Sequence, residues 1–203
     1  EITKLIEQEL DLQKVLQRSC KDFDGGYTMA GMVGYGAAFV ARDPAGIRPA
    51  YFYADDEVVV VASEKPAIKT AFGCEYSEIQ EIEPAHALIV DKNGEYRQVP
   101  FTEPLERKSC SFERIYFSRG TDPDIYQERR KLGELLVPQV LKAVNFDLKN
   151  TVFSYIPNTA ETSFLGLMSG IENYLIRKRK EIIIDQKPNV DSLEDLLSFK
   201  PRV

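Results

Sequence analysis

The chain has 203 residues, 43% of them hydrophobic, which gives room for one or two domains with a sizeable core. Its formal net charge of -6, with acids in every segment, argues against nucleic acid or an anionic membrane as a partner. No apolar run approaches the ~20 residues that span a bilayer and no charged-then-apolar signal opens the chain, so a soluble, cytoplasmic protein is expected.

Ile2 to Cys20 places apolar residues at 2, 5, 6, 12, 15 and 16 with charges between them, which predicts an amphipathic helix packed on its own sheet. Lys21 to Gly26 ends it with a glycine pair suited to a left-handed cap. The stretch from Gly25 to Glu64 then reads as three strands around one corner. Tyr27, Met29, Met32 and Val33 lead into the apolar run Ala37 to Ala41, and Pro44, with no N–H to donate, stops the ladder. Asp43-Pro44-Ala45-Gly46 has the chemistry of a tight turn. Strands Ile47 to Ala54 and Val58 to Ala62 follow, separated by Asp55-Asp56-Glu57, so the stretch reads as a β-meander. Arg42 and Arg48 flank the turn. At least one is expected to pair with a carboxylate such as Asp43 or Glu64, pinning the corner; a clamp for a substrate anion is the alternative.

Ser63-Glu64-Lys65-Pro66 reads as a helix start with Ser63 as cap, and Gly73 as its stop. Ile79 to Ile82 is a strand, and Lys92-Asn93-Gly94 joins Ala87–Asp91 to Glu95–Phe101 as a hairpin. His86, the single histidine, reads as a strand-end residue, which excludes a Ser/His/Asp triad built around a second one. Thr102 to Lys108 is polar, carries Pro104 and marks a domain boundary. Beyond it, Ser111 to Phe117 alternates as a strand does. Asp122-Pro123-Asp124 opens the longest helix, with Tyr126, Leu132, Leu135, Leu136 and Val140 as its apolar stripe and a kink or end near Val137, before Pro138. Thr151 to Ile156 reads as a strand closed by Pro157. Thr159 to Ile176 reads as the next helix, so that strand, loop and helix resemble the opening of a βαβ unit. Arg177 to Lys180 is expected to be a solvated helix end, with phosphate contact the lesser alternative. One short helix, Ser192 to Ser198, remains.

Val40-Ala41-Arg42-Asp43-Pro44-Ala45-Gly46-Ile47-Arg48-Pro49, followed by Ala62-Ser63-Glu64, resembles the interior sheet of the class II glutamine amidotransferase domain, an N-terminal-nucleophile hydrolase fold. Cys110 to Arg119 (CSFERIYFSR) with Ile125 to Gly133 (IYQERRKLG) is similar to the segment by which amidophosphoribosyltransferases pass from glutaminase to phosphoribosyltransferase. The resemblance covers about Gly25 to Leu167. It implies an α+β fold, with residues 1–108 the C-terminal part of a glutaminase domain and 109–203 the linker and beginning of an α/β type I phosphoribosyltransferase domain. Its structural signature here is Arg42, Asp43, Pro44, Gly46, Arg48, Pro49, Ser63 and Glu64. The loop Ile156 to Ser163 (IPNTAETS) departs from the family's Pro-x-Pro-Glu-Thr-Ser in length and in its second proline.

The resemblance also implies absences. The family hydrolyses glutamine with an N-terminal cysteine, whereas residue 1 is Glu; and no acid pair with a following Gly/Thr phosphate loop occurs after Cys110. The chain is therefore expected to be an inactive piece of a longer protein that makes phosphoribosylamine from glutamine and phosphoribosyl pyrophosphate. Magnesium is expected in that longer protein, none on this piece, and a homo-oligomer is expected. The three cysteines, Cys20, Cys74 and Cys110, read as reduced thiols. Cys110 matches an iron–sulfur ligand of some family members, with a plain buried thiol favoured. Tyr126 matches a residue of the family's ammonia passage, with a core aromatic as the alternative. Another class II amidotransferase, or a regulatory relative without a nucleophile, remains open.

Overall fold

The computed structural model describes residues 1, 2, 4 and 10–203. They form two compact units, Glu1–Arg119 and Gly120–Val203.

The first unit stacks a helix, two antiparallel sheets and a second helix. Sheet A runs in the order β1 (Thr28–Met32), β2 (Ala38–Arg42), β6 (His86–Val90), β7 (Tyr96–Pro100). Sheet B runs β4 (Val59–Ala62), β3 (Tyr51–Ala54), β5 (Gln80–Glu81). Alternation along each strand sends one set of side chains to each face. Leu88 and Val40 of sheet A thus meet Phe52 and Val61 of sheet B in the middle layer. On the outer face of sheet A, Ala41, Ala87 and Ile89 pack against Leu12 and Leu16 of α1 (Leu12–Ser19). On the outer face of sheet B, Tyr51, Tyr53 and Val60 pack with Ile68 of α2 (Lys65–Phe72).

Several expectations for this unit are corrected. Of the expected helix Ile2 to Cys20, Leu12–Ser19 forms α1, which the Asp11 carboxylate caps by accepting from the Lys14 N–H at 3.2 Å; Ile2 and Lys4 are also helical, and residues 3 and 5–9 lie outside the described ones. The meander is a crossover between sheets. β2 and β3 do not pair, and residues 43–50 form no strand because Pro44 and Pro49 lack N–H groups and the Asp43 side chain captures three others. Glu64, not Ser63, occupies the cap position of α2, with no side-chain cap bond. The hairpin forms as read, with Asp91 accepting from Asn93 and Glu95. Ser111 to Phe117 is helical, with a wide π turn over Glu113–Phe117 closed by Ser118 N–H donating to the Glu113 carbonyl at 2.7 Å. Its apolar residues Phe112, Ile115, Tyr116 and Phe117 are all exposed, so the alternation in sequence has no buried face to serve. The unit also extends beyond the boundary expected near Lys108. Leu105 and Lys108 donate backbone N–H groups to Pro44 and Ala45, which keeps the following segment on the first unit.

The second unit is built on α3 (Pro123–Ala143) and α4 (Glu161–Gln186), with α5 (Val190–Ser198) after them. Asp122 caps α3 by accepting from Asp124 and Ile125 at 2.9 and 3.3 Å. Asp122→Ala is expected to cost about 1 kcal/mol, read as a lower helical melting midpoint by circular dichroism. The helix passes through Pro138 to Ala143 rather than ending at Val137. Its buried row is Ile125, Arg129, Gly133, Val137 and Leu141, whereas the expected Leu132, Leu135 and Leu136 are exposed. Glycine decides this. A Cβ on Gly133 would lie 1.7 Å from the Ser163 carbonyl oxygen, and one on Gly166 would lie 1.9 Å from that of Arg130. The helix backbones approach so closely that only the glycine row can face inward.

Thr151 to Ile156 forms no strand beyond a single parallel bridge, Val152 to Arg202. The basic run falls inside α4, which continues to Gln186, so it is not a helix end. Lys178 pairs with Glu181 at 2.6 Å, and Arg179 donates to the Phe199 carbonyl.

Candidate functional site

The corner at Arg42 to Pro49 joins the two sheets, and its two buried charges point to different partners. Asp43 is fully buried and accepts from three backbone N–H groups: Ala45 at 3.1 Å, Ile47 at 2.8 Å and Arg48 at 3.0 Å. Its own N–H and C=O are also engaged, with the Tyr27 carbonyl and with the Gly46 and Ala85 N–H groups. Gly46 is needed for two reasons. Its φ is +62°, and a Cβ there would lie 2.9 Å from Pro84 Cγ.

Arg42 is equally buried. Nε donates to the Arg48 carbonyl at 2.7 Å, Nη1 to Ile82 at 2.5 Å and to Glu81 Oε1 at 2.8 Å, and Nη2 to Gly46 at 3.2 Å. Four of the five guanidinium N–H groups are thus committed to the fold. The clamp reading does not suit a cation so occupied. Glu81 also accepts from Arg107 Nη2 at 2.6 Å, Glu113 takes Arg48, and Glu64 takes Arg119 at 3.3 Å. The expected arginine–carboxylate pairing is present, but with Glu81 and Glu113 in place of Asp43 and Glu64. Asp43 is unavailable because backbone amides saturate it. Ser63 is exposed; Pro44 and Pro49 are half-buried at either end of the turn.

Burial alone would raise the Glu81 pKa, but hydrogen bonds and charge from Arg107 and Arg42 hold it below its ordinary 4.5. A carboxylate depressed in the folded state stabilises the fold above its unfolded pKa and loses that contribution as pH falls through the folded value. The urea midpoint of the first unit is therefore expected to drop on acidification below 4.5, and Glu81→Gln to flatten that decline.

Among the described residues no carboxyl, thiol, phenol or amine with a resolved shift moves toward neutrality, as a proton-transfer site would require; burial lowers only the Arg129 guanidinium from its high ordinary value. The Tyr27 phenol is pushed up to about 12 by burial, then by Cys20 and Asp43. Burial raises the Cys20 thiol, which disfavours the nucleophilic thiolate. Cys74 is also buried, and Cys110 is half-buried ahead of the π turn. Tyr126 lies half-buried in the first turn of α3, in the second unit. His86, at the start of β6, donates its Nδ1–H to the Pro84 carbonyl at 2.9 Å. Among the described residues no group of three His, Cys, Asp or Glu is placed to hold a metal, and no helix is long and apolar enough to cross a membrane. The corner is a saturated scaffold rather than a reactive centre. Sequence reasoning missed Glu81, Arg107 and Glu113 as its partners. An acid inside the short strand Ile79 to Ile82 was the one available signal.

No protein-family model matches the chain. The amidophosphoribosyltransferase of Archaeoglobus fulgidus is 30% identical over 172 residues, covering 81% of this chain and 35% of the relative. That of Bacillus subtilis is 32% identical over 131 residues, covering 63% and 25%. Among solved structures, glutamine phosphoribosylpyrophosphate amidotransferase from B. subtilis complexed with ADP and GMP matches with a TM-score of 0.58 and 23% identity, over 82% of this chain and 36% of that one. The allosteric regulatory enzyme of purine biosynthesis matches at 0.61 and 24%, over 82% and 35%. The α+β fold is shared with these structures, and the chain spans about a third of the length of its first curated relative.

Proposed function

We infer that the chain belongs to the amidophosphoribosyltransferases and supplies about a third of such an enzyme. The longer protein hydrolyses glutamine, and the ammonia released displaces pyrophosphate from phosphoribosyl pyrophosphate to give 5-phosphoribosylamine, the first step of purine synthesis. The observation that carries this reading is the extent of similarity. The 172 aligned residues exceed the first unit, Glu1–Arg119, so the match reaches into both units. A relative sharing only a glutaminase domain would not give that.

Within the enzyme, this chain's part is structural. The Arg42–Asp43 corner joins the two sheets, and the segment after Leu105 leads on toward the second unit. None of its residues is assigned to bond breaking. Magnesium belongs to this reading through the pyrophosphate, with no residue of this chain assigned to it, and Cys110 is read as a plain thiol. A cytoplasmic homo-oligomer that uses glutamine and phosphoribosyl pyrophosphate, with neither nucleic acid nor membrane as partner, completes the proposal.

The test compares the protein that carries this chain with the 203-residue chain alone. Glutamate release that rises with phosphoribosyl pyrophosphate is expected from the first and none from the second. A folded full-length protein without that activity would leave the regulatory reading in its place. Activity in the isolated chain would overturn its assignment as scaffold.

A further inference from the structure

The second unit holds a cleft of about 760 Å³ between α4, α5 and the connection that follows α3. α5 buries none of its nine residues, so it stands off the rest of the unit and leaves this space open. Small-molecule sites are clefts of about 300–1,000 Å³. One wall is aromatic. Phe146, Tyr174 and Phe199 line it, with the Phe146 and Tyr174 rings 6.1 Å apart and tilted by 35°. Phe146 reaches this position with φ at +60°, directly after Asn145 at +51°, in the left-handed region that a bulky side chain seldom adopts. Its ring stays 56% exposed, so burial does not offset the strain.

The other wall is charged, with Lys149, Lys178 and Arg179 set beside Asp147 and Asp195. Two of these are engaged. Lys178 pairs with Glu181 at 2.6 Å, and Asp147 accepts from the Asn150 N–H and Nδ2–H at 3.1 and 2.9 Å. Lys149, Arg179 and Asp195 have no ion-pair partner among the described residues. Arg179 is half-buried; Nη2 donates to the Phe199 carbonyl, and Nε meets no acceptor. A cation short of acceptors beside an aromatic wall suits an anion with an apolar body. Lys149 and Arg179 against Asp195 leave one net positive charge, which a single carboxylate balances. A polyphosphate would be repelled by both Asp147 and Asp195.

We infer that this cleft binds a small aromatic carboxylate, its ring set among Phe146, Tyr174 and Phe199 and its carboxylate held by Lys149 and Arg179. The site lies wholly within the second unit and uses no residue of the Arg42–Asp43 corner. Its ligand is neither glutamine nor phosphoribosyl pyrophosphate, so the inference goes beyond the functional reading above and does not depend on it.

The experiment dialyses the full-length protein to equilibrium against 2-naphthoate and, separately, against its uncharged amide, 2-naphthamide. One saturable site is expected for the acid, with the amide bound at least about 10-fold more weakly, the ordinary loss of a charge-assisted contact. Lys149→Gln should weaken binding of the acid and Asp195→Asn should strengthen it, each by roughly 3-fold and without moving the amide. Both side chains are exposed, so neither change threatens the fold. Arg179→Gln should weaken the acid by about 10-fold; if loss of its Phe199 contact unfolds the unit, the two exposed variants decide. Acid and amide bound alike overturn the inference, as does acid binding that neither exposed variant moves. Displacement by an equal concentration of inorganic phosphate would reveal a bare anion site, and octanoate bound as tightly as naphthoate an aliphatic one; either overturns the assignment. No saturable binding up to about 1 mM also overturns it, since ligands of this size reach that affinity at ordinary efficiency. Dialysis reads no turnover: an active enzyme without this site sinks the inference alone, and a filled site in an inactive protein sinks the functional reading alone.

Discussion

Asp43→Ala is expected to destabilise the first unit by about 3–5 kcal/mol, the range for breaking a buried, fully paired charge network. The alanine methyl would leave three N–H groups, from Ala45, Ile47 and Arg48, without their acceptor in a turn where Ala45 and Gly46 are buried. Arg42 would suffer indirectly, because the Gly46 and Arg48 carbonyls it binds are positioned by the same turn. Asp43→Asn should lose less, since the amide oxygen still accepts from part of the set. The chain has no tryptophan, so urea unfolding is best followed by tyrosine fluorescence and far-ultraviolet circular dichroism. A loss below about 1 kcal/mol for the alanine variant would mean that the turn rehydrates freely and does not fix the corner.

Gly133→Ala should destabilise the second unit by about 3 kcal/mol or more, at the upper end for overpacking. The sign is informative, because alanine is the better helix former by about 1 kcal/mol and would stabilise an isolated helix. Here the added carbon would lie 1.7 Å from the Ser163 carbonyl oxygen and 2.7 Å from the Leu167 nitrogen, both backbone atoms that cannot rotate away. Gly170→Ala is the control. Its nearest obstacle is the Val137 Cγ2 methyl at 2.5 Å, a side-chain atom with some freedom, so a smaller loss is expected. Thermal melts of the two variants followed at the helical band should separate them. Equal midpoints would show that the helices can part without cost.

What the sequence disclosed, and what it hid, follows from the range of each interaction. Gly73 ending α2, the Asp122-Pro123 start of α3 and the Asn93-Gly94 turn were readable because each is decided within four or five residues. The tight turn at Asp43 was readable for the same reason. The partners of its flanking arginines were not, because Glu81 and Glu113 come from other elements and sequence proximity favoured Asp43 and Glu64. The inward face of α3 was misread because counting leucines ignores what glycine allows. A closer backbone approach outweighed the larger side chains of Leu132, Leu135 and Leu136. Strand alternation misled at Ser111 to Phe117, whose apolar residues Phe112, Ile115, Tyr116 and Phe117 all stay exposed, and at the supposed meander, where two prolines and one carboxylate divert the chain. Apolar pattern reports what is available for burial, and topology chooses among the options.

The carboxylate of Glu81 lies between two cations in unlike surroundings: Arg42, 2% exposed, and Arg107, 55% exposed. Dissolved ions reach the second and not the first. At molar ionic strength the Debye length shrinks to about 3 Å, enough to weaken a solvated pair and leave a buried one nearly untouched. Concentrated salt should therefore loosen the chain around Arg107 while the crossover between the sheets stays closed, so one acidic side chain has a salt-sensitive limb and a salt-resistant one.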